Sequence, residues 1–213
     1  MESLIYDLLK NKKTDELISQ LKNDPALLSF VDSRGASLLM LSFYFRNQEL
    51  SSYILSLQDP SNIYEAVIAG DLDTTMKFLA SDPKLINKYS PDGFTVLGFA
   101  AFFDRPALAR YLLEQGADAN ISSNNDFKVA PLHSAVAAKS LEITQLLLEH
   151  NADPNARQQN DVTPLHAGAH NSSLAIVKAL LQAGADKDLK TKDGKNAMDF
   201  AREANAKEII AIL

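Results

Sequence analysis

Thr163-Pro164-Leu165-His166 is followed, fifteen residues on from its leucine, by the pair Leu180-Leu181, and two near-copies of this phrase lie upstream. Ala130-Pro131-Leu132-His133 leads to Leu147-Leu148, and Thr95-Val96-Leu97-Gly98 leads to Leu112-Leu113, at the same spacing. The marker leucines Leu97, Leu132 and Leu165 stand 35 and 33 residues apart, and the leucine pairs keep the same steps. A period near 33 belongs to stacked supersecondary units, each too small to bury its own apolar face and stable only against its neighbours. Such arrays bind partners on an extended surface.

A turn phrase closes each unit: Gly116-Ala117-Asp118-Ala119-Asn120, Asn151-Ala152-Asp153-Pro154-Asn155 and Gly184-Ala185-Asp186-Lys187-Asp188. Gly or Asn at the first place suits a left-handed helix C-cap. Taken together, these phrases resemble the ankyrin repeat family, and residues 93–194 are identified as members of it. The resemblance implies an all-α ankyrin repeat solenoid of helix pairs joined by β-hairpin fingers. It also implies that the Thr hydroxyl and His imidazole of the Thr-Pro-Leu-His phrase bond within and between repeats. Pro starts the first helix, where its missing N–H costs nothing. Only Thr163 to His166 matches in full; Thr95 to Gly98 lacks Pro and His, and Ala130 lacks the hydroxyl. The departures put single hydrogen bonds at stake, not the fold.

Sliding residues 5–42 forward by 58 places lays Ile5-Tyr6-Asp7 on Ile63-Tyr64-Glu65, Asp24-Pro25 on Asp82-Pro83, Gly35 on Gly93 and Leu39 on Leu97. The first third is therefore the same architecture in a degenerate form. Ile54-Leu55 and Phe78-Leu79 take the places of the later leucine pairs, but the step between them is only 24. About ten residues of the repeat are missing there, and the link Gln58-Asp59-Pro60-Ser61 is too short for a projecting finger. One finger is expected to be absent near 57–61. The single array 1–213 then divides into an N-terminal capping repeat 1–36, a short repeat 37–60, repeats 61–92, 93–127, 128–160 and 161–193, and a C-terminal capping repeat 194–213.

About seven helix pairs follow, with first helices near 4–10, 37–45, 62–69, 96–103, 131–138, 164–170 and 197–204 and a second helix after each. Asn47, Asp71, Ser140 and Ser173 read as N-caps of second helices, with Glu49, Asp73 and Glu142 two residues on, near the positive end of the helix dipole. Asp104-Arg105-Pro106 reads as another start, with Pro at the first helical position. The outer pairs carry polar residues such as Gln20, Arg202, Glu203, Lys207 and Glu208, as terminal repeats must where nothing stacks on them.

Composition removes several function classes. The chain has 46% hydrophobic residues and a net charge of −6, enough apolar content for a continuous core and no footprint for nucleic acid. Its densest basic run, Lys187, Lys190, Lys192 and Lys195, is interleaved with Asp186, Asp188 and Asp193. No stretch reaches the ~18 apolar residues a membrane span needs, and Met1-Glu2-Ser3-Leu4 shows no secretory signal. The absence of cysteine removes disulfides and thiolate zinc sites and is compatible with a cytoplasmic location. The expectation is a cytoplasmic monomer with no cofactor, no metal, no nucleic acid and no membrane association.

His166 and His170 stand at i and i+4 of one helix, a spacing that can present two imidazoles to zinc. A zinc-binding protein or metal-dependent enzyme centred on them is the alternative reading, weakened by Ala167-Gly168-Ala169 between them and by no identifiable third ligand. Asp186-Lys187-Asp188-Leu189-Lys190 has lysine at the third ligand place of a calcium loop, and neither a nucleophile elbow nor a phosphate-cradling glycine loop occurs.

In the family that these phrases resemble, partners are held by finger residues and the exposed ends of first helices. Those places hold Tyr44, Phe45, Phe102, Phe103 and His170 at helix ends, and Asp92, Phe94, Phe127, Val129 and Val162 on fingers. This aromatic concentration, at positions where a soluble repeat could carry polar groups, marks a protein-binding surface. The function expected is a non-catalytic protein–protein interaction module, an adaptor or inhibitor. The competing reading is packing: helix-end aromatics can tuck between repeats, and Tyr44 and Phe45 could fill the space of the absent finger. Adjacent on a helix, Phe102 and Phe103 diverge by about 100°, so one is expected to face the groove and the other a neighbouring repeat. Phe94 is expected to be exposed with the former, on a finger tip with no core to enter.

Overall fold

The computed structural model describes all residues 1–213. Fourteen α-helices form seven pairs: α1 (Glu2–Lys10) with α2 (Thr14–Asn23), α3 (Leu38–Tyr44) with α4 (Gln48–Leu57), α5 (Ile63–Ala69) with α6 (Leu72–Ser81), α7 (Val96–Phe102) with α8 (Pro106–Glu114), α9 (Pro131–Ala137) with α10 (Leu141–Glu149), α11 (Pro164–His170) with α12 (Leu174–Gln182), and α13 (Ala197–Glu203) with α14 (Lys207–Ile210). First helices pack on first helices along α3, α5, α7, α9, α11 and α13, and second helices on second helices in the pairs α2–α4, α8–α10, α10–α12 and α12–α14. The buried apolar residues form one cluster running from Ile5 to Ile209, so the core is not divided where the repeat is short.

Local chemistry explains where the helices start. Asn47, Asp71 and Ser140 accept from the N–H groups of Leu50, Thr74 and Ile143, and Thr95 and Thr163 do the same for Gly98 and His166. Ser173 does not: it precedes α12 without a side-chain cap, which corrects the expectation for that residue. Gly116, Asn151 and Gly184 end their helices at φ 91°, 61° and 89°, as the turn phrases require.

The turn phrases then bond to one another. Asn120 Oδ1 accepts from Asp153 N–H at 2.8 Å and its amide donates to the Asn151 carbonyl; Asn155 makes the same pair with Asp186 N–H and the Gly184 carbonyl. Asn87 begins this ladder by accepting from Asp118 N–H at 2.9 Å. The last phrase carries Asp188 in place of Asn.

Five fingers serve the six junctions. Each is a tight hairpin turn closed by a backbone bond: Asp32 N–H to Ala36 O, Ser90 to Phe94, Ser123 to Val129, Gln158 to Val162 and Thr191 to Lys195. Their β character is confined to isolated bridges, Val31 with Ser37 and Tyr89 with Thr95, because the arms are too short for a ladder. The junction from α4 to α5 has no finger, as its length requires.

Downstream, each finger tip donates to the one before it: Asn124 N–H to Gly93 O, Gln159 to Phe127 O and Lys192 to Asn160 O, at 2.9–3.0 Å. The matching donor on the finger after the gap is Pro91, which has no N–H. Its ring lies against Gly35 instead, so closely that a Cβ on Gly35 would overlap it, and Gly35 holds φ +87°. The two fingers that flank the missing one therefore close on each other by packing.

Candidate functional site

Where the finger is missing, the helices on either side of α5 bring their side chains together. Residues Ile63 to Ile68 of α5 are all buried, including Glu65, whose carboxylate accepts from the Ser61 N–H at 2.6 Å and hydroxyl at 2.9 Å. Side chains of α3 and α7 meet although α5 intervenes in the chain. The Tyr44 ring stacks on Phe103, just beyond α7, with centroids 5.9 Å apart and planes at 14°; Phe103 also meets Phe43 edge-on at 6.0 Å. Arg105 closes the end of α5 by donating from Nε and Nη2 to the Ile68 carbonyl at 3.1 and 2.9 Å, a cation at a helix C-terminus. Its guanidinium lies over the Phe43 ring at 5.9 Å.

Tyr44 also reaches a finger: its hydroxyl donates to Asp92 Oδ2 at 2.6 Å. Burial, and then the Asp92 carboxylate, push the Tyr44 phenol far above its ordinary value, so it is a neutral donor. Between the first finger, the Ser90–Phe94 finger, the Ser123–Val129 finger and helices α3, α7 and α9 lies a groove of about 590 Å³. Phe99, 2% exposed, is its buried floor. Phe102 and Phe127, at 50% and 57% exposure, are large apolar side chains left facing water on this face.

Six of the ten expected residues line this groove: Tyr44, Asp92, Phe94, Phe102, Phe127 and Val129. Four do not. Phe45 packs edge-on against Tyr6 at 5.7 Å, and Phe103 is held by Phe43 and Tyr44. Val162 is half-buried on the next finger, with its carbonyl facing His133 Nε2 at 3.1 Å. His170 lies exposed at the end of α11, edge-on to Phe200 at 6.2 Å. Phe94 corrects its expected exposure: it is half-buried, because it sits on the return arm of its finger and leans onto Phe99 at 5.5 Å. Pro91, Asn125 and Ser134 also line the groove without having been singled out. Asn125 was legible as the counterpart of Asp92, two residues after its finger's first serine; its amide donates to the Asp92 carbonyl.

The two histidines of the repeated phrase show what a cap hydroxyl does. His166 Nδ1 faces the Thr163 hydroxyl at 2.9 Å and accepts from the Thr163 N–H at 3.0 Å, while Nε2 faces the Leu189 carbonyl at 3.0 Å. Both ring nitrogens are thus engaged in the fold and neither is on offer to a metal. His133 follows Ala130, and its buried Nδ1 has no partner.

A family model of ankyrin repeats in three copies matches residues 63–158 and 132–213. Among similar proteins, the 2-5A-dependent ribonuclease of Mus musculus is 48% identical over 52 residues, 24% of this chain and 7% of that protein. An ankyrin repeat protein of Acanthamoeba polyphaga mimivirus is 25% identical over 139 residues, 61% of this chain and 18% of that one. The neurogenic locus notch homolog protein 1 of Xenopus laevis is 34% identical over 137 residues, 64% of this chain and 5% of that one. The chain spans less than a fifth of the length of each of these relatives. No helix is long and apolar enough to cross a membrane. The repeated phrases, the stacked helix pairs and the family match agree: the chain belongs to the ankyrin repeat family, whose repeats are protein–protein interaction modules and typically non-catalytic.

Proposed function

We propose that this chain is a non-catalytic adaptor or inhibitor that holds a protein partner on its concave surface, centred on the groove above the fingerless junction. The exposure of Phe102 and Phe127 on opposite elements of one groove carries the reading. Leaving such rings in water forgoes roughly 2 kcal/mol each of burial, and aromatic side chains are frequent binding hot spots. Tyr44, Asp92, Phe94 and Val129 complete the surface, and Val162 and His170 extend it toward the C-terminal repeats. A monomer in the cytoplasm is the accompanying proposal, compatible with a chain that has no cysteine.

Photo-crosslinking tests the surface. Benzoylphenylalanine placed at Phe102 or Phe127 should capture the same partner from an extract of the source cell. The same probe at Met76, exposed on the second helix α6, should not. Equal capture at all three positions would remove the groove as the site.

A further inference from the structure

The groove holds a carboxylate without a counter-charge. Asp92 accepts from two neutral donors, the Tyr44 hydroxyl at Oδ2 and the Ser90 hydroxyl at Oδ1. It takes part in none of the chain's ion pairs. Arg34, the cation lining the same groove, is committed elsewhere: its Nε lies 3.4 Å from Asp32 Oδ2 and its guanidinium donates to the Tyr6 hydroxyl. Arg34 and Asp92 are the only charged residues among those lining the groove.

On the reading of this groove as the partner surface, we propose that it takes a Lys or Arg side chain of a basic segment of the partner. The methylene stem lies along Phe102 and Phe127 and the charged head meets Asp92. An apolar stem with a cationic head is the side-chain chemistry that fits aromatic walls ending in a carboxylate. A wholly apolar anchor would strip water from Asp92 without replacing it, and an acidic segment would meet like charge.

The probe is a random peptide library displayed on phage and panned against the full chain. Enriched peptides should share a Lys or Arg. A synthetic copy with that residue replaced by norleucine should bind at least tenfold more weakly. Asp92→Asn should weaken the original peptide by a similar factor, with its melting temperature checked because Tyr44 bonds to this side chain. The norleucine peptide makes the same test without altering the protein. Enriched peptides that bind at the groove but lack a basic residue, or whose norleucine copies bind equally, overturn the inference and leave the binding module standing. No enrichment, or peptides that bind Phe102→Ser and Phe127→Ser chains as well as the original, overturns both.

Discussion

Lowering the pH from 7 to 5 puts a proton on His133 in the unfolded chain but not in the folded one. The imidazole is 3% exposed, its Nε2 faces the Val162 carbonyl at 3.1 Å, and its Nδ1 is unpartnered. Burial pushes its pKa from the ordinary 6.5 down to about 4, against the opposing pull of the Val162 and Ala156 carbonyls. Since the folded value is the lower one, its contribution to stability is intact above pH 6.5, falls as the unfolded chain takes up the proton, and levels off below about pH 4. Each unit of difference is worth about 1.4 kcal/mol, so the loss is about 2 kcal/mol by pH 5 and about 3 kcal/mol below pH 4. Urea unfolding of the original chain and of His133→Gln, at pH 7 and pH 5, isolates this effect. Glutamine can still donate to Val162 but does not titrate, and the carboxylates and His166, whose pKa burial also lowers, are common to both proteins. The stability difference between the two should move by about 2 kcal/mol in favour of His133→Gln on acidification. Equal losses in the two proteins would refute the reasoning that burial keeps this imidazole neutral.

Gly35→Ala should cost roughly 2–4 kcal/mol, part from its positive φ and part from overlap with Pro91. Gly116→Ala, at a similar φ but with open space around it, should cost only about 1 kcal/mol; equal urea midpoints would contradict the close approach of the two fingers. His166→Ala should cost roughly 1–3 kcal/mol by unpairing buried groups, and His170→Ala under about 0.5 kcal/mol. A zinc-dependent property lost on either replacement, with stability unchanged, would favour the metal reading. Hydrogen exchange should show 37–80 opening before 131–181, because the finger-tip and asparagine ladders bond the downstream repeats and neither crosses the fingerless junction. Greater protection in 37–80 would contradict that order.

The helix pairs were legible because each repeat restates its start, its leucine pair and its turn. The missing finger was legible because a four-residue link cannot form a hairpin and a helix start together. Pro91 carried a further signal that the sequence reading passed over: a residue without an N–H stands where the other fingers donate. What the repeat pattern could not supply was the consequence of the shortened repeat for the side chains around it. Only once α3 and α7 meet over a buried α5 does Phe103 have Tyr44 to stack on. Only then does Phe102 become the ring left in water. Phe94 was misjudged for a related reason: its place in the phrase is fixed, but its direction depends on Phe99 beneath the finger. The orphaned His133 nitrogen was half legible, since Ala130 announced a lost hydroxyl without showing that nothing would replace it.

Paired replacements at Phe102 and Phe103 test the central claim, that this groove and not the packing beneath it holds the partner. Affinity for the crosslinked partner and the melting temperature are measured on the same preparations. Phe102→Ser should leave the melting temperature unchanged and cost about 2 kcal/mol of binding, about a thirtyfold rise in Kd. Phe103→Ala should cost about 3 kcal/mol of stability, the low end for a packed ring, since it is only half-buried. If Phe102→Ser lowers the melting temperature as Phe103→Ala does, with no loss of affinity beyond what unfolding explains, the groove is packing and the account fails.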